Sequence, residues 1–214
     1  MKEGLLLKEA NCGDLQSYID TNNSNINNAL RRKWSIQIAE AVAYVHQKGI
    51  IHSNLSTANV LVHQTSQSPD LILADFGGSR CLELDLDGQL LPDDLYFDPH
   101  LTTFNSPKVD VFSLGVVIYI IMTGQYPFHE GPGPQEGFEY GDRVQALYTQ
   151  GKFPDLSSVP FGGVIAGCCC ERRFETAKGV VVAIEEEMQC YASQVCKPTP
   201  LPFTLMLTSL RGNL

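Results

Sequence analysis

Apolar residues at Leu30, Trp34, Ile38, Val42 and Val45 recur at helical spacing. The asparagine-rich stretch 22–28 supplies capping candidates and Gly49 stands where a helix stops, so the pattern predicts a helix over 29–48. Two short β-like runs follow, Val60-Leu61-Val62 and Leu71-Ile72-Leu73. They are joined by a polar turn over 63–70 that contains Ser68-Pro69, and together they predict a hairpin over 60–73. Residues 77–108 carry Gly, Pro and many Asp with no sustained period, which predicts a long loop, and long loops in compact domains tend to be functional. Ser106-Pro107 then opens an apolar helix ending at Gly124. Its longest apolar run, 111–122, is interrupted by Ser113 and Gly115 and falls well short of the ~20 residues that span a bilayer, so a buried core helix is expected.

The glycine-rich stretch 130–141 is predicted as a second loop. Val144, Leu147 and Tyr148 suggest a short helix, and Ala177, Val181, Ile184 and Met188 mark a last one. Past Cys190 the sequence turns to Pro198, Pro200 and Pro202 and then Thr204-Leu205-Met206-Leu207, with no helical or strand logic. The expected division is one domain over 1–190 and a poorly ordered or foreign tail over 191–214. No repeat of solenoid or propeller length is present, so the fold class is α+β, mainly α-helical, with one small β-hairpin.

With 43% hydrophobic and 18% charged residues in 214, the composition supports a single domain with a real core rather than disorder. Fifteen Lys and Arg against 24 Asp and Glu give a net charge of −9, which argues against nucleic acid or an anionic membrane surface as partner and favours a basic protein or peptide. The N-terminus leads through only Leu5, Leu6 and Leu7 before Lys8, too short for a secretory signal, so the expected compartment is intracellular, the cytoplasm. Seven cysteines are an odd number, and none forms a C-x-x-C pair facing a second pair. Reduced, mostly buried thiols are expected rather than disulfides or zinc.

Between the first helix and the hairpin the chain reads Ile51-His52-Ser53-Asn54-Leu55-Ser56-Thr57-Ala58-Asn59, and just after the second strand comes Asp75-Phe76-Gly77. These segments resemble the catalytic loop (H-R-D-L-x-x-x-N) and the metal-binding D-F-G of eukaryotic protein kinases, in the family's order and separation. Tyr96-Phe97-Asp98-Pro99-His100 resembles the A-P-E segment, Asp110-Val111-Phe112-Ser113-Leu114-Gly115 the opening of the buried kinase helix, and Gly124-Gln125-Tyr126-Pro127-Phe128 the G-x-x-P-F after it. Upstream, Leu5-Leu6-Leu7-Lys8-Glu9 and Gly13-Asp14-Leu15 resemble the hinge and the helix that follows. The likeness covers roughly residues 4–190 and is nearest in flavour to small fungal kinase-like sequences whose loop reads H-S-D. It implies a kinase C-terminal lobe, with ATP and Mg²⁺ as cofactors, while the N-terminal lobe that carries the Gly-rich loop and phosphate-pairing Lys is expected to be absent and ATP binding weak or lost.

The resemblance also assigns roles. Asn54 stands where the family's Asp accepts the substrate hydroxyl proton, and an amide cannot act as that base, a loss of ~10²–10⁴ in rate. Ser56 replaces the Lys that steadies the transferring phosphoryl group. Asn59 and Asp75 match the two metal-holding positions, where two oxygen donors alone hold Mg²⁺ weakly. Leu61, Val117 and Ile121 match positions beneath the adenine and read equally well as plain core. His52, Phe76 and Asp110 match structural positions: the first two the C-lobe half of the family's internal hydrophobic spine, the third a buried carboxylate that hydrogen-bonds the catalytic-loop backbone. Ser53 replaces the Arg that receives an activation-loop phosphate, and only Ser79 and Tyr96 carry hydroxyls between Gly78 and Phe97, so phospho-switching is not expected there. His100 replaces a Glu whose partner is an Arg near the last helix, so Arg172 or Arg173 is expected to lack an ionic partner and the segment end to be loose.

The acidic residues Glu83, Asp85, Asp87, Asp93 and Asp94 read either as a solvated loop or as a field for a basic peptide. Two functions stay open: a catalytically impaired pseudokinase serving as a binding module, or a truncated remnant, and alternatively a Ser/Thr protein kinase whose N-lobe is missing from the gene model. An uncovered cleft would leave Leu6, Leu61 and Phe76 partly exposed and promote self-association.

Overall fold

The asparagine-rich stretch does cap a helix. Asn27 accepts a hydrogen bond from the Leu30 amide (2.9 Å) at the start of helix Asn28–Gln47, and Gly49, at φ 71°, follows its end. In this computed structural model residues 9–129 and 138–195 are described. Residues 5–8 of the hinge-like segment, 130–137 of the loop expected over 130–141, and the tail from 196 lie outside them, while 138–141 of that expected loop are helical.

The elements in order are α1 (Leu15–Asn22), α2 (Asn28–Gln47), β1 (Ile50–Ile51), β2 (Val60–Gln64), β3 (Pro69–Leu73), β4 (Arg80–Cys81), β5 (Leu86–Asp87), α3 (Lys108–Thr123), α4 (Phe138–Thr149), α5 (Gly162–Cys169) and α6 (Ala177–Val195). The hairpin pairs β2 with β3 from Val60 opposite Leu73 to Gln64 opposite Pro69, so its strands reach further into the polar turn than the apolar runs alone predict. The chain before α1 lies along β2, where the Val62 amide donates to Gly13 (2.8 Å) and the Cys12 amide to Val62 (3.1 Å). The expected loop 77–108 contributes β4 and β5 to a second sheet, ordered β1-β4-β5, each strand only two residues long.

Helix α3 is the centre of the core, buried on every face from Val109 to Met122. Along its sides pack α2, where Ser35 meets Met122, and α5, through Cys168 and Cys169. Gly115 makes the second contact possible, because a Cβ there would meet Cys168 Cβ at 2.5 Å and Cys169 Sγ at 2.6 Å. Arg31 is buried between α2 and α3, donating to the carbonyls of Ile26 and Ile121 and to Asn23, and burial lowers its pKa. Helix α6 runs beyond Cys190 to Val195, further than the sequence pattern suggests, and Arg32 stacks over the Tyr191 ring at 4.3 Å. The 191–214 division therefore starts inside a helix. Among the described residues no helix is long and apolar enough to cross a membrane.

Five tyrosines are buried in this helical body, and burial raises the pKa of each: Tyr96, to about 12, Tyr119, Tyr126, Tyr140 and Tyr148. The folded state thus keeps protons that the unfolded chain releases near pH 10, so stability is complete below pH 10 and falls as pH rises toward 12. In an alkaline titration these five of the eight tyrosines should form phenolate only as the far-UV circular dichroism is lost. Ionisation of all of them near pH 10 with the dichroism intact would contradict this packing.

Candidate active site

The loop between β1 and β2 is fixed from below by one carboxylate. Asp110, fully buried in the first turn of α3, accepts from the amides of His52 (2.7 Å) and Ser53 (2.8 Å) and from His46 Nε2 (2.9 Å). These bonds hold Ser53 at φ 65°, a left-handed conformation uncommon for a residue with a Cβ. The hydroxyl of Ser53 and Nδ1 of His52 are buried without a hydrogen-bond partner among the described residues. His52 reaches the hairpin side of the site as well: its Nε2 bonds the Ala74 carbonyl (2.8 Å), and its ring meets Phe76 edge-on at 5.1 Å. Its own carbonyl accepts from the Ser79 hydroxyl (3.1 Å).

Asn54 is half-buried, and its carbonyl accepts from Asn59 Nδ2 at 2.8 Å, while the Asn59 carbonyl accepts from the Ala74 amide at 2.9 Å. Asn54, Asn59 and Asp75 are thereby drawn to one edge of the hairpin. Asp75 is exposed, in a left-handed conformation (φ 56°), with one oxygen accepting from the Gly77 amide. Ser56 is buried. Leu61 is half-buried on β2, whereas Val117 and Ile121 are enclosed in α3 and belong to the core. Phe76 is 45% exposed on its far side, and Leu6 lies outside the described residues.

Such a constellation of H-x-N-x-x-x-x-N loop, hairpin, D-F-G turn and buried Asp matches a known family: the one described as "Protein kinase domain" aligns with residues 3–197. The chain belongs to the protein kinase family. Its relatives include serine/threonine-protein kinase kin-29 of Caenorhabditis briggsae, 40% identical over 46% of this chain and 12% of that protein. Serine/threonine-protein kinase ppk25 of Schizosaccharomyces pombe is 36% identical over 55% of this chain and 28% of its own length. A third, the Saccharomyces cerevisiae fatty acyl-CoA synthetase and RNA processing-associated kinase 1, is 29% identical over 71% and 18%. The chain thus spans between an eighth and about a quarter of the curated relatives' lengths.

In this protein kinase domain the segment after D-F-G departs from expectation at one point. His100 carries no carboxylate, yet Arg172 does have an ionic partner: Asp98, two residues earlier, accepts from Arg172 Nε and Nη2, both at 2.8 Å. The bidentate pair raises the Arg172 pKa further and fixes the segment end, so that end is not loose. Arg173 instead pairs with Glu171 on the surface. His100 turns its ring to the Tyr148 carbonyl (3.1 Å). Helix α4 completes the support, since Gln145 donates to the carbonyls of Asp94 and Phe97, and Tyr148 to that of Leu95.

Sequence reading missed His46, Asp98 and Ser79 as members of this framework. His46 stands four residues after the fully buried Val42 on α2, so it shares that inward face, where a polar residue signals an inward partner. Asp98 stands within the recognised five-residue segment itself.

Proposed function

We propose that this chain is a catalytically impaired protein kinase domain that acts by binding rather than by phosphotransfer. The observation that carries the reading is Asn54. It occupies the general-base position of a loop whose framework, from Asp110 through His52 to Asn59 and Asp75, is otherwise kept. An amide side chain has no basic lone pair for the substrate proton. Ser56, buried and short, cannot extend a cation over a transferring phosphoryl group.

The donor set favours retained nucleotide and metal affinity as a second reading. Asn59 commits its Nδ2 to the Asn54 carbonyl, which leaves Oδ1 as its free donor, and Asp75 keeps a carboxylate oxygen beyond its bond to Gly77. Two oxygens of this kind suit Mg²⁺, which would supply charge neutralisation for the phosphates; these residues would hold it. Regulation by phosphate on the segment is disfavoured in this reading. The Ser79 hydroxyl is bound to His52 and the buried Tyr96 hydroxyl to Thr57 at 2.6 Å.

With Mg-ATP and a generic basic protein substrate, the chain is expected to transfer no phosphate. The Asn54→Asp variant should remain inactive too, because a restored base only takes the proton of the attacking hydroxyl, and the phosphoryl group that hydroxyl must attack is not positioned by Ser56. Radiolabel transfer by the variant, abolished by a further Asp75→Ala change, would overturn the reading in favour of an active kinase site.

A further inference from the structure

The ribbon between the D-F-G turn and the segment end carries an uncovered apolar face. Leu82, Leu84 and Leu86 are 67%, 68% and 58% exposed, far more than isolated surface leucines in a folded domain need be. Beside them Cys81, Leu82 and Leu86 line a shallow hollow of about 140 Å³, whose remaining wall is Arg80, Asp85, Asp87 and Asn105. The acids alternate with the leucines along the chain: Glu83, Asp85 and Asp87. The one cation between 79 and 98, Arg80, is already engaged with Asp87 at 3.0 Å. Among the described residues, the Glu83 and Asp85 carboxyl groups have no hydrogen-bond or ionic partner, and one stands exposed on each side of Leu84 in the chain.

We infer that this ribbon is a docking surface for a basic, leucine-bearing segment of another protein, an apolar side chain seating in the hollow while flanking Arg or Lys residues meet Glu83 and Asp85. The inference deepens the binding-module reading and rests on it. Charge selects this occupant over the alternatives. A second copy would set the same acids against each other in a two-fold contact, and a chain of net charge −9 repels anionic lipid and nucleic acid. The apolar contact contributes most of the affinity, and the acids set the partner and the association rate.

The test uses the full chain and a short synthetic peptide alternating arginine with leucine, followed by fluorescence anisotropy. Saturable binding that weakens with salt is expected, and about tenfold weaker binding of an arginine–serine peptide. Two exposed double variants, Leu82→Ser with Leu86→Ser and Glu83→Gln with Asp85→Asn, should each lose about tenfold with thermal unfolding unchanged. Equal binding of the two peptides, or undiminished affinity in both variants, would overturn the proposal. So would concentration-dependent dimerisation that the leucine variant abolishes, since the occupant would then be a second copy. Phosphotransfer by the parent chain would overturn the binding reading of the domain while leaving this measurement unchanged. Failure of the peptide to bind would leave the catalytic impairment untouched.

Discussion

Replacing Asp110 by alanine is expected to cost about 3–5 kcal/mol of stability in urea unfolding. The carboxylate is fully enclosed and accepts from three donors, the His52 and Ser53 amides and His46 Nε2. Alanine would leave two backbone amides buried with no acceptor, each penalised by its own desolvation, in addition to a small cavity. Asp110→Asn separates these causes, because it preserves volume but turns an amide N–H toward one of the donors. It should recover less than half of the loss. The effect reaches the site as well: with its two bonds gone, Ser53 has nothing to hold φ at 65°, and Asn54 moves with it. Hydrogen exchange at the His52 and Ser53 amides should therefore accelerate more than at α2. A loss below about 1 kcal/mol, or unchanged exchange at those amides, would show that the loop is held by something else.

How much of this was readable from the residues depends on the physical scale of each signal. Helices α2 and α3 declare themselves because many apolar positions repeat the period, and caps such as Asn27 and Gly124 mark their ends. The site was legible for a different reason: the loop and D-F-G residues are specified by chemistry rather than by period, so their order alone locates them. The β1-β4-β5 sheet was not legible, since two-residue strands are shorter than any periodicity and are stabilised by distant partners, Ile50 opposite Cys81 and Arg80 opposite Asp87. Helix α5 was missed because it is apolar nearly all round and interrupted by glycine, so it presents no polar face to reveal a period. Arg31 also misleads, since a cation in a helix stripe reads as solvent-facing until the Ile121 carbonyl at the end of α3 is found beside it. The ion pair at the segment end depends on geometry that spacing does not encode. Position 100 carries an imidazole, and it is the carboxylate at position 98 that reaches Arg172.

The unequal exposure of Arg172 and Asp98 predicts an asymmetry between the two halves of this anchor. Asp98 is 3% exposed, with Arg172 as its ionic partner and the His100 amide as a further donor at 3.0 Å. Arg172 has 34% of its side chain in solvent, so water can take up its charge when the carboxylate is removed. Arg172→Ala strands a buried anion and should cost about 2–3 kcal/mol, discounted from the range for fully buried pairs because the guanidinium is partly screened. Asp98→Ala strands a cation that can turn to water and the amide of His100, itself an exposed residue, and should cost about 1 kcal/mol. The double variant should be no less stable than Arg172→Ala alone, giving a coupling of about 1–2 kcal/mol in the double-mutant cycle. Arg173→Ala, which removes only a surface pair with Glu171, should change stability by less than about 0.5 kcal/mol. Because Asp98 closes the ribbon that begins at the D-F-G turn, Arg172→Ala should also speed limited proteolysis between Leu82 and Leu91, where the chain is exposed. Equal costs for the two single variants together with zero coupling would mean that the segment end is anchored through Gln145 and Tyr148 of α4 instead, and that the pair at Asp98 is incidental.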